Sequence, residues 1–143
     1  MRLDRCFKVA SCLLLGCQLG FAQDPQVSPE SIVQRNIETC NRRNLEAFAT
    51  TYAPEIEILV LATGATRVKG MVELKAIHHA RFQNNPKLRA EVASRCIQCP
   101  LVTDMERLTG LLSQPGGTEL GPIAVLVISD VRNGEITRAW FAR

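Results

Sequence analysis

Ile123-Ala-Val-Leu-Val-Ile128 decides the architecture of this chain. Six apolar residues in a row, four of them β-branched, make a strand that is apolar on both faces, because successive side chains point to opposite sides of a sheet. Neither face is suited to water. Helices elsewhere in the chain can cover one side, and the simplest cover for the other is the same sheet of a second copy, so the run predicts a homodimer through the sheet face. Asn133-Gly134 follows and is a strong hairpin turn signal. It predicts that a strand over 123–131 folds back on a partner over 135–142.

Reading upstream, β-rich runs at Leu88–Gln98 and Leu101–Leu111 are divided by Cys99-Pro100, and Ser113-Gln-Pro-Gly-Gly117 separates them from the central run. The first half of the domain is helical in character. Ser28 before Pro29 is a helix start, and Ile32, Val33, Asn36, Ile37 and Cys40 recur at helical spacing behind it. Asn44 caps a second helix over Leu45–Tyr52, which Pro54 is expected to stop. Strands at Glu55–Leu61 and Thr66–Lys69 come next. A third helix, Met71–Gln83, carries Leu74, Ile77, His78 and Phe82 on one side and ends at Asn84-Asn-Pro86.

The 143 residues suffice for one domain, and a composition 46% hydrophobic and 22% charged excludes disordered and coiled-coil classes. Of the net charge of +3, most lies at the start, where Arg2, Arg5 and Lys8 face only Asp4. Behind this basic start, Val9–Ala22 is apolar and ends in small residues, the pattern of a secretory signal peptide over 1–22. It is too short for a membrane span, which takes roughly 20 apolar residues. Cleavage near Ala22 leaves a tether over 23–28 and a domain over 29–143, working in the periplasm or secreted. The alternative is a lipobox, Leu14-Leu-Gly-Cys17, with the protein anchored as a lipoprotein at Cys17. Without residues 1–22 the net charge is +1, which gives no footprint for nucleic acid or an anionic membrane.

Cys40, Cys96 and Cys99 remain in the mature chain. Cys96-Ile-Gln-Cys99 has redox or zinc spacing, but in a strand residues three apart face opposite ways, and no second Cys or His pair completes a tetrahedral site. The three are read as small apolar core residues, with a bridge from Cys40 to Cys96 or Cys99 as the alternative. Gly64, Gly70 and Gly116-Gly117 lack the strand-to-helix context of a phosphate-binding loop. No metal, nucleotide or other cofactor is expected.

The order of helix, helix, two strands, helix and four antiparallel strands resembles the cone-shaped α+β fold of the nuclear transport factor 2-like superfamily, with its SnoaL-like polyketide cyclases and ketosteroid isomerases. Asn41-Arg-Arg-Asn-Leu-Glu-Ala-Phe, Thr51-Tyr-Ala-Pro-Glu-Ile-Glu, Lys69-Gly, Val102-Thr-Asp-Met-Glu106 and Asn133-Gly-Glu-Ile-Thr-Arg-Ala-Trp-Phe141 stand where such proteins carry similar words, and the likeness spans residues 29–142. The resemblance implies three N-terminal helices on a curved, mostly antiparallel sheet around a conical pocket. It does not carry the isomerase chemistry. Those enzymes place a phenolic tyrosine where Asn36 stands, a carboxylate base near Val60 and a protonated acid near Leu126, and neither of the last two side chains can transfer a proton.

The candidate lining of the pocket is Asn36, Tyr52, His78, Phe82, Asp104 and Phe141. His78 is a candidate general base, or else a hydrogen-bonded wall residue; His79, about 100° further round the helix, is expected in solvent. Asp104 and Glu106 alternate onto one strand face with Arg95 on the preceding strand, either a catalytic dyad or a cross-strand ion network. Phe141 is expected inward and Trp140 toward the partner. Three functions compete: a secreted, dimeric domain binding a small, mostly apolar molecule; a cofactor-independent isomerase, cyclase or dehydratase with His78 as base and Asp104 or Asn36 assisting; and an interaction module whose cavity its own side chains fill.

Overall fold

The computed structural model describes residues 27–143; the expected signal peptide with its cleavage after Ala22, and the lipobox Cys17, lie outside the described residues. The first helix, α1 (Pro29–Asn41), starts as the sequence suggests, with the Ser28 hydroxyl accepting from the Ser31 N–H at 3.2 Å and Pro29 in the first turn. The second, α2 (Leu45–Ala49), is capped by Asn44, whose Oδ1 accepts from the Ala47 N–H at 3.1 Å. It is shorter than expected. Thr51 donates its hydroxyl to the Phe48 carbonyl at 2.7 Å and closes the helix, so Tyr52 opens β1 (Tyr52–Val60) instead of ending α2. Pro54 therefore sits inside a strand. It falls where the register against the neighbouring strand shifts, between Tyr52 and Glu57, so its missing N–H removes no ladder bond.

The chain continues through β2 (Thr66–Lys69), α3 (Gly70–Asn84), β3 (Arg89–Gln98), β4 (Leu101–Thr109), β5 (Ile123–Arg132) and β6 (Glu135–Ala142). The six strands form one sheet in the order β2-β1-β6-β5-β4-β3, antiparallel except where β1 runs parallel to β6. This is the expected α+β class, three helices on a mostly antiparallel sheet. The β5–β6 turn has Asn133 and Gly134 at φ 52° and 78°, the left-handed pair that a tight hairpin requires. Lys69 caps α3 with its backbone alone, and Glu73 reaches back to accept from the Lys69 N–H at 2.7 Å. Among the described residues no helix is long and apolar enough to cross a membrane.

The core lies between the helices and one face of the sheet, centred on Ile32, Ile56, Leu74, Val102 and Ile136, all at most 2% exposed. One side chain locks α1 to the edge strand: Asn41 donates to the Ala90 carbonyl at 2.9 Å and accepts from the Ala90 N–H at 2.7 Å. The run that decided the architecture divides as expected between two faces. Ile123, Val125 and Val127 point toward the helices, whereas Leu126 and Ile128 share the outer face with Met105 and Thr103, their register partners on β4. On that outer face Met105 stays 39% exposed and Leu101, two residues from Thr103, 37%.

The cysteines depart from expectation. All three described cysteines are free thiols; Cys96 and Cys99 are exposed and Cys40 is half-buried. Cys96 pairs with Thr103 on the outer face near the end of the β3–β4 hairpin, and Cys99 lies in its turn, where no second layer of this chain covers them. They are surface residues, not core.

Candidate functional site

The helices and the inner face of the sheet enclose a cavity of about 490 Å³. Helical spacing places Asn36 and Cys40, four apart on α1, on its wall, and likewise His78 and Arg81 on α3. Strand alternation supplies Glu106 and Leu108 from β4 and Val125 and Val127 from β5, with Phe141 of β6 opposite Val127. Arg67, Ile77 and Arg143 border the cavity yet are exposed, so they mark its open end.

An aromatic cluster forms one wall. The Phe48 ring stands 4.6 Å from His78, 5.1 Å from Tyr52 and 5.8 Å from Phe82. His78 and Tyr52 line the cavity as expected, but Phe82 does not: it lies behind His78 and Phe48 as a core residue, 7% exposed. The reason is helical geometry, since Phe82 follows His78 by one full turn and sits deeper between α3 and α2. His78 Nδ1 lies 3.0 Å from the Leu74 carbonyl, which can only accept, so Nδ1 carries the proton and Nε2 is left as the acceptor. Burial lowers the imidazole pKa from 6.5 to about 4, with the Leu74 bond opposing that shift and the Arg81 charge adding to it. At neutral pH this ring is uncharged and a weak base. Burial also drives the Tyr52 phenol above its ordinary range, with Asn36 opposing, and raises the Cys40 thiol to about 11. Asn36 donates one amide N–H to the Thr51 hydroxyl at 2.7 Å and also hydrogen-bonds the Tyr52 phenol, which is how it opposes the shift there.

The two carboxylates on β4 part company. Asp104 is 1% exposed and receives the fork of Arg95, Nε and Nη2 each at 2.7 Å from one of its oxygens. Arg95 is its register partner on β3, and Glu30 and Gln34 of α1 flank the guanidinium. Asp104 is thus sealed in a cross-strand pair beneath α1 and is not part of the cavity wall, contrary to its expected place in the lining. Glu106, two residues on, has no such partner and faces the cavity. Burial, and then the Asp104 charge, raise its carboxyl to about 7, against the pull of Arg81 and Arg95.

Sequence reasoning singled out Glu106 only as the companion of Asp104; Arg95 standing opposite Asp104 is the signal that separates them. Arg81 and Cys40 were missed, although each lies at helical spacing from a named residue. Phe141 faces inward as expected. Trp140 alternates to the outer face opposite Ile128, with the Arg138 guanidinium 5.9 Å from its ring, although part of it also reaches the cavity border.

No family model matches the sequence, and no curated protein does. Solved structures do match. An uncharacterized cystatin-fold protein from Novosphingobium aromaticivorans superposes with a TM-score of 0.74 at 16% identity, over 81% of this chain and 98% of its own. An NTF2-like protein of unknown function from Cytophaga hutchinsonii gives 0.63 at 15%, over 82% and 90%. A protein with a ketosteroid isomerase-like fold from Catenulispora acidiphila, in complex with trimethylamine, gives 0.63 at 19%, over 81% and 86%. At such identities the likeness carries the fold alone.

Proposed function

We propose that this chain, whose fold is that of the nuclear transport factor 2-like proteins, binds a small, mostly apolar molecule in its cavity. The observation that carries this reading is the cavity itself: about 490 Å³, walled by aromatic and aliphatic side chains, with a few polar groups converging from α1, α3 and β4. Ligand sites have that size and that sparse polarity. A fold whose side chains filled its centre, as the interaction-module alternative requires, would leave no such space. Nile red, a neutral apolar dye, tests it. The expected result is saturable fluorescence that is lost in Val125→Trp, a change that fills the cavity; a dye that binds neither protein, or both alike, overturns the reading.

A second reading rests on Glu106. A carboxyl near pKa 7 inside an apolar cavity suits a general base at neutral pH far better than His78 at about 4. In a cofactor-independent isomerase, Glu106 would take a proton from the carbon between a carbonyl and an alkene and return it at the far alkene carbon, while the Tyr52 hydroxyl, itself hydrogen-bonded to Asn36, held the enolate oxygen. The probe is 3-cyclohexen-1-one. Conversion to the conjugated isomer that Glu106→Gln abolishes supports this reading, and no acceleration over buffer overturns it for this class of substrate.

Export with cleavage near Ala22 and dimerisation through the outer sheet face belong to the same proposal. What supports the first is the basic-then-apolar start, and the second the uncovered row of Leu101, Met105, Leu126 and Ile128. Native mass spectrometry of protein exported to a bacterial periplasm reads both: a dimer of chains beginning at Gln23 is expected, and a monomer, or a diacyl mass on Cys17, overturns the corresponding part.

A further inference from the structure

The charges bordering the cavity are unequal. Arg67 from β2, Arg81 from α3 and Arg143 after β6 all border it, and among the described residues none of the three has a carboxylate within 4.0 Å. Glu106 is the one acidic residue among those bordering the cavity. Guanidinium groups keep their charge at any pH the fold meets. Away from the cavity, Arg95 forks onto Asp104 at 2.7 Å and Arg138 reaches Glu57 at 3.0 Å, whereas Arg35, Arg43 and Arg107 have no carboxylate within 4.0 Å among the described residues. The cavity presents an apolar floor of Val125, Val127 and Leu108, with the exposed guanidiniums of Arg67 and Arg143 at its open end and half-buried Arg81 further in, where it acts on Glu106. Apolar surface at one end and forked donors at the other complement a molecule divided the same way.

We infer that the occupant is an amphipathic acid, with its apolar body against the β4–β5 floor and a singly charged anionic headgroup, carboxylate or sulfate, answered by the positive charge of Arg67 and Arg81. This rests on the binding reading above and narrows it from apolar molecules in general to those with one anionic end. Arg67 is exposed and so meets a headgroup arriving from solvent, whereas half-buried Arg81 stands further in, where its charge is felt by Cys40, Tyr52, His78 and Glu106.

Displacement of Nile red by octanoate, octyl sulfate and 1-octanol tests the inference, because the three share a chain and differ at the head. The expected result is that octanoate, octyl sulfate or both compete at least about tenfold better than octanol. A preference for one anion over the other identifies the headgroup. Arg67→Gln and Arg67→Gln/Arg81→Gln should lower the ratio of anion to alcohol affinity stepwise, and the first of these changes only an exposed side chain, so folding is not at stake. Equal competition by all three, or dye displacement by octanol alone, overturns the anionic headgroup while leaving the binding reading intact. Failure of the dye itself to bind overturns both. An unchanged ratio in both variants overturns the assignment to these arginines.

Discussion

At the scale of single residues, Asp104 and Glu106 show how much two positions of one strand can differ. Asp104 belongs to a buried ion pair, and removing one partner of such a pair strands the other charge in the core. Asp104→Ala should therefore destabilise the fold by about 3–5 kcal/mol in urea titrations, and a stability change below about 1 kcal/mol would contradict a sealed pair. Glu106 acts through pH. It holds its proton in the folded protein up to about pH 7, whereas the unfolded chain releases it near 4.5, so the folded state binds more protons between those values. Its contribution is full below about 4.5 and declines as pH rises to about 7. His78 has the opposite sign: its folded value of about 4 lies below 6.5, so stability falls as pH drops through that window. Urea midpoints measured from pH 4 to pH 8 should show Glu106→Gln losing the alkaline decline, with a gain of about 1–3 kcal/mol at pH 8, and His78→Phe losing the acid one. Profiles that match the parent chain would refute the burial of these groups. The distinction between the two carboxylates was only half legible in the sequence: alternation placed both on the inner face, but that Arg95 stands in register with Asp104, and α1 lies over the pair, is tertiary information.

Among the elements, β2 and β6 have the bounds that the sequence states; for β6, Asn133-Gly134 fixes its start and apolar alternation its course. Elements governed by local turn chemistry were likewise legible, including the caps of α1 and α2. The junction of α2 and β1 was not. Leu45, Phe48 and Tyr52 have helical spacing, yet pairing of Tyr52 with Ile136 on a strand more than eighty residues away wins over it. A propensity over one turn cannot compete with a ladder and a core. Where β4 ends, Gly110 holds φ 72°, and a Cβ there would come within 2.0 Å of the Lys87 carbonyl oxygen. Gly110→Ala should cost about 2 kcal/mol or more, from the left-handed backbone and the backbone contact together. Thermal unfolding measures it; an unchanged midpoint would mean that the β4 end and the α3–β3 turn are not packed as described.

For the whole molecule, the outer sheet face makes the testable claim. Leu126 and Ile128 are half-buried with only their own sheet around them, and Met105 and Leu101 are more exposed still. Leu126→Lys should convert a dimer to a monomer in light scattering at micromolar concentration without lowering Nile red binding, because Leu126 points away from the cavity. A chain monomeric before the substitution refutes the second copy as the cover. The fold class could be read from element order, since most elements announced themselves locally. The cavity's charge could not, because Arg67, Arg81 and Arg143 come from three separate parts of the fold and border one cavity only once it is assembled.

The parallel seam between β1 and β6 closes that sheet, joining a strand that begins at Tyr52 to one that ends at Ala142. Pairings of such long range are reached late in folding, because the loop between them must be ordered before they repay it. Until β6 emerges, β1 and β2 form a hairpin with no route into the main sheet, and the cavity has no floor on that side. A chain arrested before Glu135 would thus carry both halves of the wall and hold nothing between them, so retention of a ligand during synthesis would report arrival of the last strand.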